Sequence, residues 1–322
     1  MIYKDVCNLA ESSDRNCYYL STDDGYVISA VKKGLKLFLS KGGEFETEIY
    51  DDTDTMQFIL QKIMTVSMFS DRKLVIIERY SKKLKDADVK ALKAYLSDPL
   101  EERFLLIITD TASKTFQPFK NQLLTFDFKI NPFLLKEEAL GYFSERNISI
   151  NPTALNELVS LSAADAGYCM NEVEKLCCYA ADKKTVDMQD VKNVVRKNFD
   201  GSIYKIVNAL TVNDYKGAVD ELNYFLSAGE KPSVIINSIT SVYRRAFFVS
   251  LNKGESKDGL AAKFGVKPFA IEQSQRTAEQ YKSMALKKIV AKADECEFKF
   301  KSGVYSEYQA LIDLFGYVVS VK

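Results

Sequence analysis

The 322-residue chain contains no histidine and no tryptophan. Without histidine there is no Ser–His–Asp or Cys–His nucleophile pair, no imidazole general base and no His-ligated zinc. Lys, Glu, Asp, Tyr and Cys remain for acid–base work. An excess of one charge is also missing, because 44 Lys plus Arg balance 44 Asp plus Glu. Gripping nucleic acid unaided needs a cationic surplus, so solo DNA binding is not expected, although a local basic patch remains open. No apolar run approaches the ~18–20 residues of a membrane span, and the start, MIYKDVCNLAESSDR, lacks a signal peptide's apolar stretch. The expectation is a cytoplasmic protein without a membrane partner. None of the six cysteines forms a Cys-x-x-Cys pair, so no metal site is expected. Cys169, Cys177 and Cys178 fall in a helical pattern and read as buried, reduced thiols.

What is present is ordinary globular composition, 47% apolar and 27% charged, at a length that suits two or three domains. The first third alternates strand and helix signals. Strands are expected at 17–21, 46–50, 73–78, 104–109 and 124–130. KLVIIE and FLLIIT are nearly continuous apolar runs, as in parallel strands covered on both faces. Helical periodicity covers 26–39, 55–68 and 86–96. Five strands with crossover helices predict a doubly wound α/β domain over 1–134. After Asn131-Pro132 no strand is expected. A helix over 136–146, with Glu137 and Glu138 in its first turn, opens a small helical domain over 135–199, continued by a helix that Asn151-Pro152 starts. The stretch 198–201 reads as a junction, and 200–322 as a larger all-helical domain.

A nucleotide-binding α/β domain cradles phosphates on a Gly-rich loop after its first strand, with a lysine for charge. Here that loop is Ser21-Thr22-Asp23-Asp24-Gly25-Tyr26, with one Gly, no Lys and two carboxylates that would repel a triphosphate. GxxxxGK[ST] is absent, and so is the dipeptide Gly-Lys. The Gly42-Gly43 pair follows a helical pattern and reads as a helix stop. Glu78, at the end of the third strand, and Asp110, at the end of the fourth, read as solvated strand ends.

Two segments carry competing readings. In Val66-Ser67-Met68-Phe69-Ser70-Asp71-Arg72, Met68 and Phe69 read as core, since Met56, Leu60, Met64 and Met68 continue one ridge at i+4 spacing. The same pair also suits an exposed wedge for a partner's pocket, being large and adaptable. The segment 259–276 could pass for a DNA-reading helix-turn-helix. Its second helix begins Pro268-Phe269-Ala270-Ile271-Glu272, apolar and acidic where a reader needs polar or basic side chains. A packed helical hairpin is the better reading.

With these residues in view, the chain resembles the delta subunits of the bacterial DNA polymerase III clamp loader from about Cys17 to Val319. The landmarks run in order: Cys17-Tyr18-Tyr19-Leu20 with Asp23-Asp24; Met68-Phe69-Ser70-Asp71-Arg72-Lys73-Leu74-Val75-Ile76-Ile77; Asn171-Glu172-Val173-Glu174-Lys175-Leu176; Tyr243-Arg244-Arg245; the hairpin from Ala262 to Phe269; and Lys301-Ser302-Gly303. Thr22 and Gly25 depart from the Gly and Pro that the family often has. The Ser-Arg-Cys motif and four-cysteine zinc module of the ATPase sister subunits are absent. The resemblance implies a degenerate AAA+ module, made of a five-stranded parallel sheet with flanking helices and a helical lid, followed by a helical collar. It implies no catalytic site and no nucleotide cofactor. It turns the reading of Met68 and Phe69 towards the wedge, with Val66 as support, bound to the sliding clamp (beta subunit). It implies a pentamer with gamma/tau-type ATPase and delta-prime-type subunits, and primer–template DNA met only within that assembly; whether Arg244 or Arg245 touches DNA stays open. The competing classes are an AAA+ ATPase with an atypical nucleotide site and a helix-turn-helix DNA-binding protein.

Overall fold

The computed structural model describes residues 1–65, 70–80, 82–110, 114–162, 165–196, 198–252, 254–266 and 268–321. Two compact units divide the chain, Met1–Val195 and Arg196–Lys322.

The first unit opens with α1 (Ile2–Glu11), then β1 (Cys17–Ser21), α2 (Gly25–Ser40), β2 (Phe45–Tyr50), α3 (Met56–Met64), β3 (Arg72–Ile77), α4 (Asp86–Ser97), β4 (Arg103–Thr109) and β5 (Leu124–Phe126). The five strands form one parallel sheet in the order β2-β3-β4-β1-β5. The apolar runs divide between two faces as a period of two requires. Leu74, Ile76, Leu106 and Ile108 pack with Ile2, Val6, Val27, Val31 and Leu35 of α1 and α2. Val75, Ile77, Leu105 and Ile107 pack with Ile59, Leu60, Ile63 and Leu92 of α3 and α4. The sheet is therefore covered on both sides, which is why its central strands carry almost no polar side chains.

Helix α1 was not anticipated from the sequence, although Ile2, Val6 and Ala10 repeat at helical spacing and are buried. It crosses α2 at Gly34, where a Cβ would intrude on the Tyr3 carbonyl and stand 2.7 Å from Val6 Cβ. Expected strand 124–130 stops at Phe126. Expected helix 55–68 ends at Met64: Thr65 turns extended (ψ 131°) while its N–H still bonds the Gln61 carbonyl. Gly43, with φ 117°, turns the chain from α2 towards β2, as a helix stop should.

The rest of the first unit is α5 (Pro132–Glu145), β6 (Ser149–Ile150), α6 (Pro152–Leu161), α7 (Ala166–Tyr179), β7 (Thr185–Val186) and α8 (Met188–Val194). Helix α5 starts earlier than expected because the Asn131 side chain accepts the Leu134 N–H and Pro132 occupies the first turn. Glu138 is thus a second-turn residue and is buried, where it accepts the Ile2 N–H and the Tyr26 hydroxyl, each at 2.6 Å. It is not the first-turn dipole partner that its sequence position suggested. The two-residue strands β6 and β7 pair in parallel, a bridge too short for a periodic signal. Cys169 and Cys177 are buried as expected, whereas Cys178 is exposed.

The second unit is all helical: α9 (Phe199–Thr211), α10 (Tyr215–Ser227), α11 (Pro232–Leu251), α12 (Lys257–Phe264), α13 (Pro268–Gln280), α14 (Ser283–Lys301) and α15 (Glu307–Ser320). Its core gathers Ile206, Leu210, Leu222, Ile239, Leu286, Ile289 and Leu314. The α12–α13 pair is a packed hairpin, with Leu260, Ala261 and Ile271 buried against Val249 of α11. Ser274 and Thr277 of α13 are buried as well, so that face is not available to a DNA groove.

Candidate functional site

In an open parallel sheet, ligands gather outside the carboxyl ends of the strands where the strand order reverses. Here that place is the ends of β1 and β4, and several of its described backbone donors are already used. Asp24 caps α2, its Oδ1 accepting the N–H groups of Tyr26 (2.9 Å) and Val27 (3.2 Å). These are the amides a phosphate would need. The Thr22 N–H is bonded to the Thr109 carbonyl (2.9 Å). Glu78 is ion-paired with Lys32 of α2, not simply solvated as its position suggested. Asp24→Ala should cost about 1 kcal/mol, which a thermal melt reads as a drop of about 2–4 °C. An unchanged melt would show that the cap contributes nothing.

Asp110 lies beside Asp23 at the same edge. Burial raises its carboxyl above the ordinary carboxylate range, and the neighbouring Asp23 raises it further, against the opposing pull of Arg79. The folded chain then holds this proton to higher pH than the unfolded chain. Between the two values the native state binds more protons, so stability falls as pH rises. Above that window the repulsion persists. Asp110→Asn should therefore raise the melting temperature at pH 7 and flatten its pH slope just above the ordinary carboxylate range. A lower melting temperature at pH 7 would contradict this.

The segment 66–69 lies outside the described residues, and with it Val66, Met68 and Phe69. What the structure shows is the frame at either end of it, at the amino-terminal edge of the sheet. On one side, the buried face of α3 is Met56, Ile59, Leu60 and Ile63. Met64, expected to continue a core ridge, is 50% exposed, and Phe58 stands out at 40%. The ridge leaves the core at the last turn of the helix. On the other side, the Ser70 hydroxyl donates to the Glu44 carbonyl (2.7 Å) and accepts the Arg72 N–H (3.1 Å). Arg72 donates to the Leu39 carbonyl (2.6 Å) and pairs with Glu102, while Arg103 donates to the Asp71 carbonyl. Lys73, 3% exposed, reaches Glu48 Oε1 (2.7 Å) and donates to the Lys62 carbonyl in the last turn of α3 (3.0 Å). Two anchors held by side-chain hydrogen bonds and ion pairs thus bracket a short connection whose sequence contains two large apolar residues.

In the second unit, Arg244 forms an exposed pair with Asp294, and Arg245 donates to the Tyr204 hydroxyl (3.2 Å). Among the described residues no group of His, Cys, Asp and Glu is arranged to hold a metal ion, and no helix is long and apolar enough to cross a membrane.

Comparison with known proteins gives a consistent answer. The family model for the DNA polymerase III delta subunit matches residues 23–128, and that for the C-terminal domain of the same subunit matches 200–317. DNA polymerase III subunit delta of Bacillus subtilis (strain 168) is 19% identical over 291 residues, 84% of this chain and 83% of that one. A protein of Aquifex aeolicus (strain VF5) described as probable DNA polymerase III subunit delta is 24% identical over 274 residues, 78% and 75% of the two chains. The solved Bacillus subtilis DNA clamp loader delta protein superposes with a TM-score of 0.75 at 17% identity, covering 99% of this chain and 100% of that one.

The fold is thus the one the Bacillus subtilis clamp loader delta protein has, a parallel α/β module with a small helical part and a C-terminal helical unit. With matching models in both halves, the chain belongs to the DNA polymerase III delta subunit family.

Proposed function

We propose that this delta subunit binds the replication sliding clamp through Met68 and Phe69, supported by Val66, and holds the ring open for loading onto primed DNA. The observation that carries the reading is the frame around 66–69. Both ends of the connection are fixed by buried or multiply hydrogen-bonded groups, and the apolar ridge of α3 is already exposed at Met64. A rigid platform presenting a short apolar segment loses little ordering entropy on docking. Burying one Met and one Phe contributes about 3–6 kcal/mol before ordering costs.

Opening a ring by binding requires that the open form be bound more tightly than the closed one. Shifting a closed-to-open balance from 1:99 to 99:1 takes about 5.5 kcal/mol of differential affinity. The wedge together with its surrounding contacts can approach that if closure strains the ring. The work is mechanical, and the subunit has no catalytic role of its own. Asp24 holding the α2 amides, and the acidic edge formed with Asp23 and Asp110, support a subunit that neither binds nor hydrolyses ATP. Partner ATPase subunits of gamma/tau type would supply that energy, and a delta-prime-type subunit would complete the pentamer. We place the α/β module at 1–134, the lid at 135–199 and the collar at 200–322. Primer–template DNA is met within the assembly, in the cytoplasm. Calorimetric titration of the isolated subunit with the clamp, and separately with ATP, tests both halves. Tight clamp binding with no heat from ATP is expected; the reverse would overturn the reading.

A further inference from the structure

Lys73 is a buried cation whose place in β3 has no packing rationale. A strand covered on both faces favours apolar side chains, and burying an ammonium is costly unless it is paired and hydrogen-bonded. Its partners explain where it points. The ammonium bridges Glu48 on the neighbouring strand β2 and the carbonyl of Lys62, in the last turn of α3. That turn carries the negative end of the helix dipole, and its Lys62 carbonyl, which also accepts the Thr65 N–H (3.2 Å), has a second lone pair for the ammonium, so a fixed cation there stabilises its position. Glu48 is held as well. Burial alone would raise its carboxyl, but hydrogen bonds from Lys73 and the Tyr50 hydroxyl outweigh that and hold it below the ordinary carboxylate value.

We infer that the Lys73–Glu48 pair is a positioning device: it ties the carboxyl end of α3 to β2 and β3 and so fixes the launch point of the segment 66–69 for docking. This rests on the reading of that segment as the clamp-binding element. Neither Lys73, buried in the sheet, nor Glu48 needs to touch the partner. Their effect is to make α3 and β3 one mount on either side of that segment, so that docking spends less on fixing α3 against the sheet. Lys73 and not an apolar residue serves here because only a long side chain ending in several donors joins a strand carboxylate and a helix carbonyl at once.

The test uses the full chain and the purified sliding clamp of the same organism, titrated calorimetrically. Lys73→Met with Glu48→Gln removes the tie without leaving one charge buried alone. It is expected to weaken clamp binding by about tenfold. Amide exchange should quicken at residues 62–65 while Leu74–Ile77 stay protected. Introduced into the Met68→Ala/Phe69→Ala background, the same pair of substitutions is expected to change nothing further. Glu48→Gln alone, the milder change, should give a smaller loss in the same direction. Full affinity in both tie variants would overturn the inference, and so would an equal additional loss in the background lacking the wedge. If Met68→Ala/Phe69→Ala itself binds like the parent chain, the clamp-binding reading fails first, an outcome distinct from failure of the tie.

Discussion

Replacing Met68 and Phe69 together by alanine should weaken clamp binding by about 10²–10⁴-fold, the equivalent of the ~3–6 kcal/mol that two such side chains gain on full burial. The melting temperature should stay within about 2 °C of the parent. The second number decides between the two readings of these residues. Were they core, as continuation of the Met56–Leu60–Met64 spacing suggested, the double truncation would cost about 5–10 kcal/mol of stability and unfold much of the first unit. Met64 already breaks that spacing by standing half exposed. Single substitutions should each cost a large share of the binding energy without summing to the double value, because anchors seated in one pocket are not additive. A fluorescence-anisotropy titration with labelled clamp reads the affinity, and circular dichroism on the same samples reads the stability.

The second large effect concerns the fold. Gly34→Ala should destabilise the first unit by about 2–4 kcal/mol, and Gly34→Leu by more. In an exposed helix interior the Gly→Ala exchange would stabilise by about 0.5–1 kcal/mol. Here the new Cβ would meet the Tyr3 carbonyl, which is backbone, and Val6 Cβ, so α1 must move as a body. Displacing α1 uncovers Ile2, Val6 and Ala10 together with the side of the sheet they cover. The expected fall in melting temperature for Gly34→Ala is about 5–15 °C. An unchanged or raised value would mean that α1 is loosely held and contributes little to the core.

Much of the fold was legible because its signals are local. Two strands with unbroken apolar runs, helices with a 3.6 period and the Asn151-Pro152 start announced a parallel sheet followed by helices. What escaped was set by tertiary contact. Helix α1 is short, and its burial depends on a glycine 32 residues beyond its first residue, at the crossing with α2. The β6–β7 bridge has two residues per strand, below any periodic signal. Glu138 looked like a first-turn residue because the earlier start at Pro132, fixed by the Asn131 cap, is what moves it into the second turn and the interior. Cys178 faces out because its neighbour Cys177 takes the inward position on α7.

The candidate site was legible in a different way. The lysine-free loop after β1 was plain from composition, and the structure adds that Asp24 occupies the amides a phosphate would use. The proposed wedge reading could not be separated from core by periodicity alone, since a Met–Phe pair at the end of a helical pattern satisfies either. Its supporting frame had a signal that reasoning from apolar patterns passes over: a lysine opening the run KLVIIE, which the structure shows joining β2, β3 and α3.

Opening of the clamp through binding alone, as proposed, needs no nucleotide on this subunit. The most direct test follows clamp pre-loaded and labelled on nicked circular DNA after the purified subunit is added alone, with no ATP present. The parent chain is expected to speed release of clamp from the circle, and Met68→Ala/Phe69→Ala is expected not to. Clamp that stays on the circle with the parent chain present, or that leaves equally fast with the variant, would contradict the proposal.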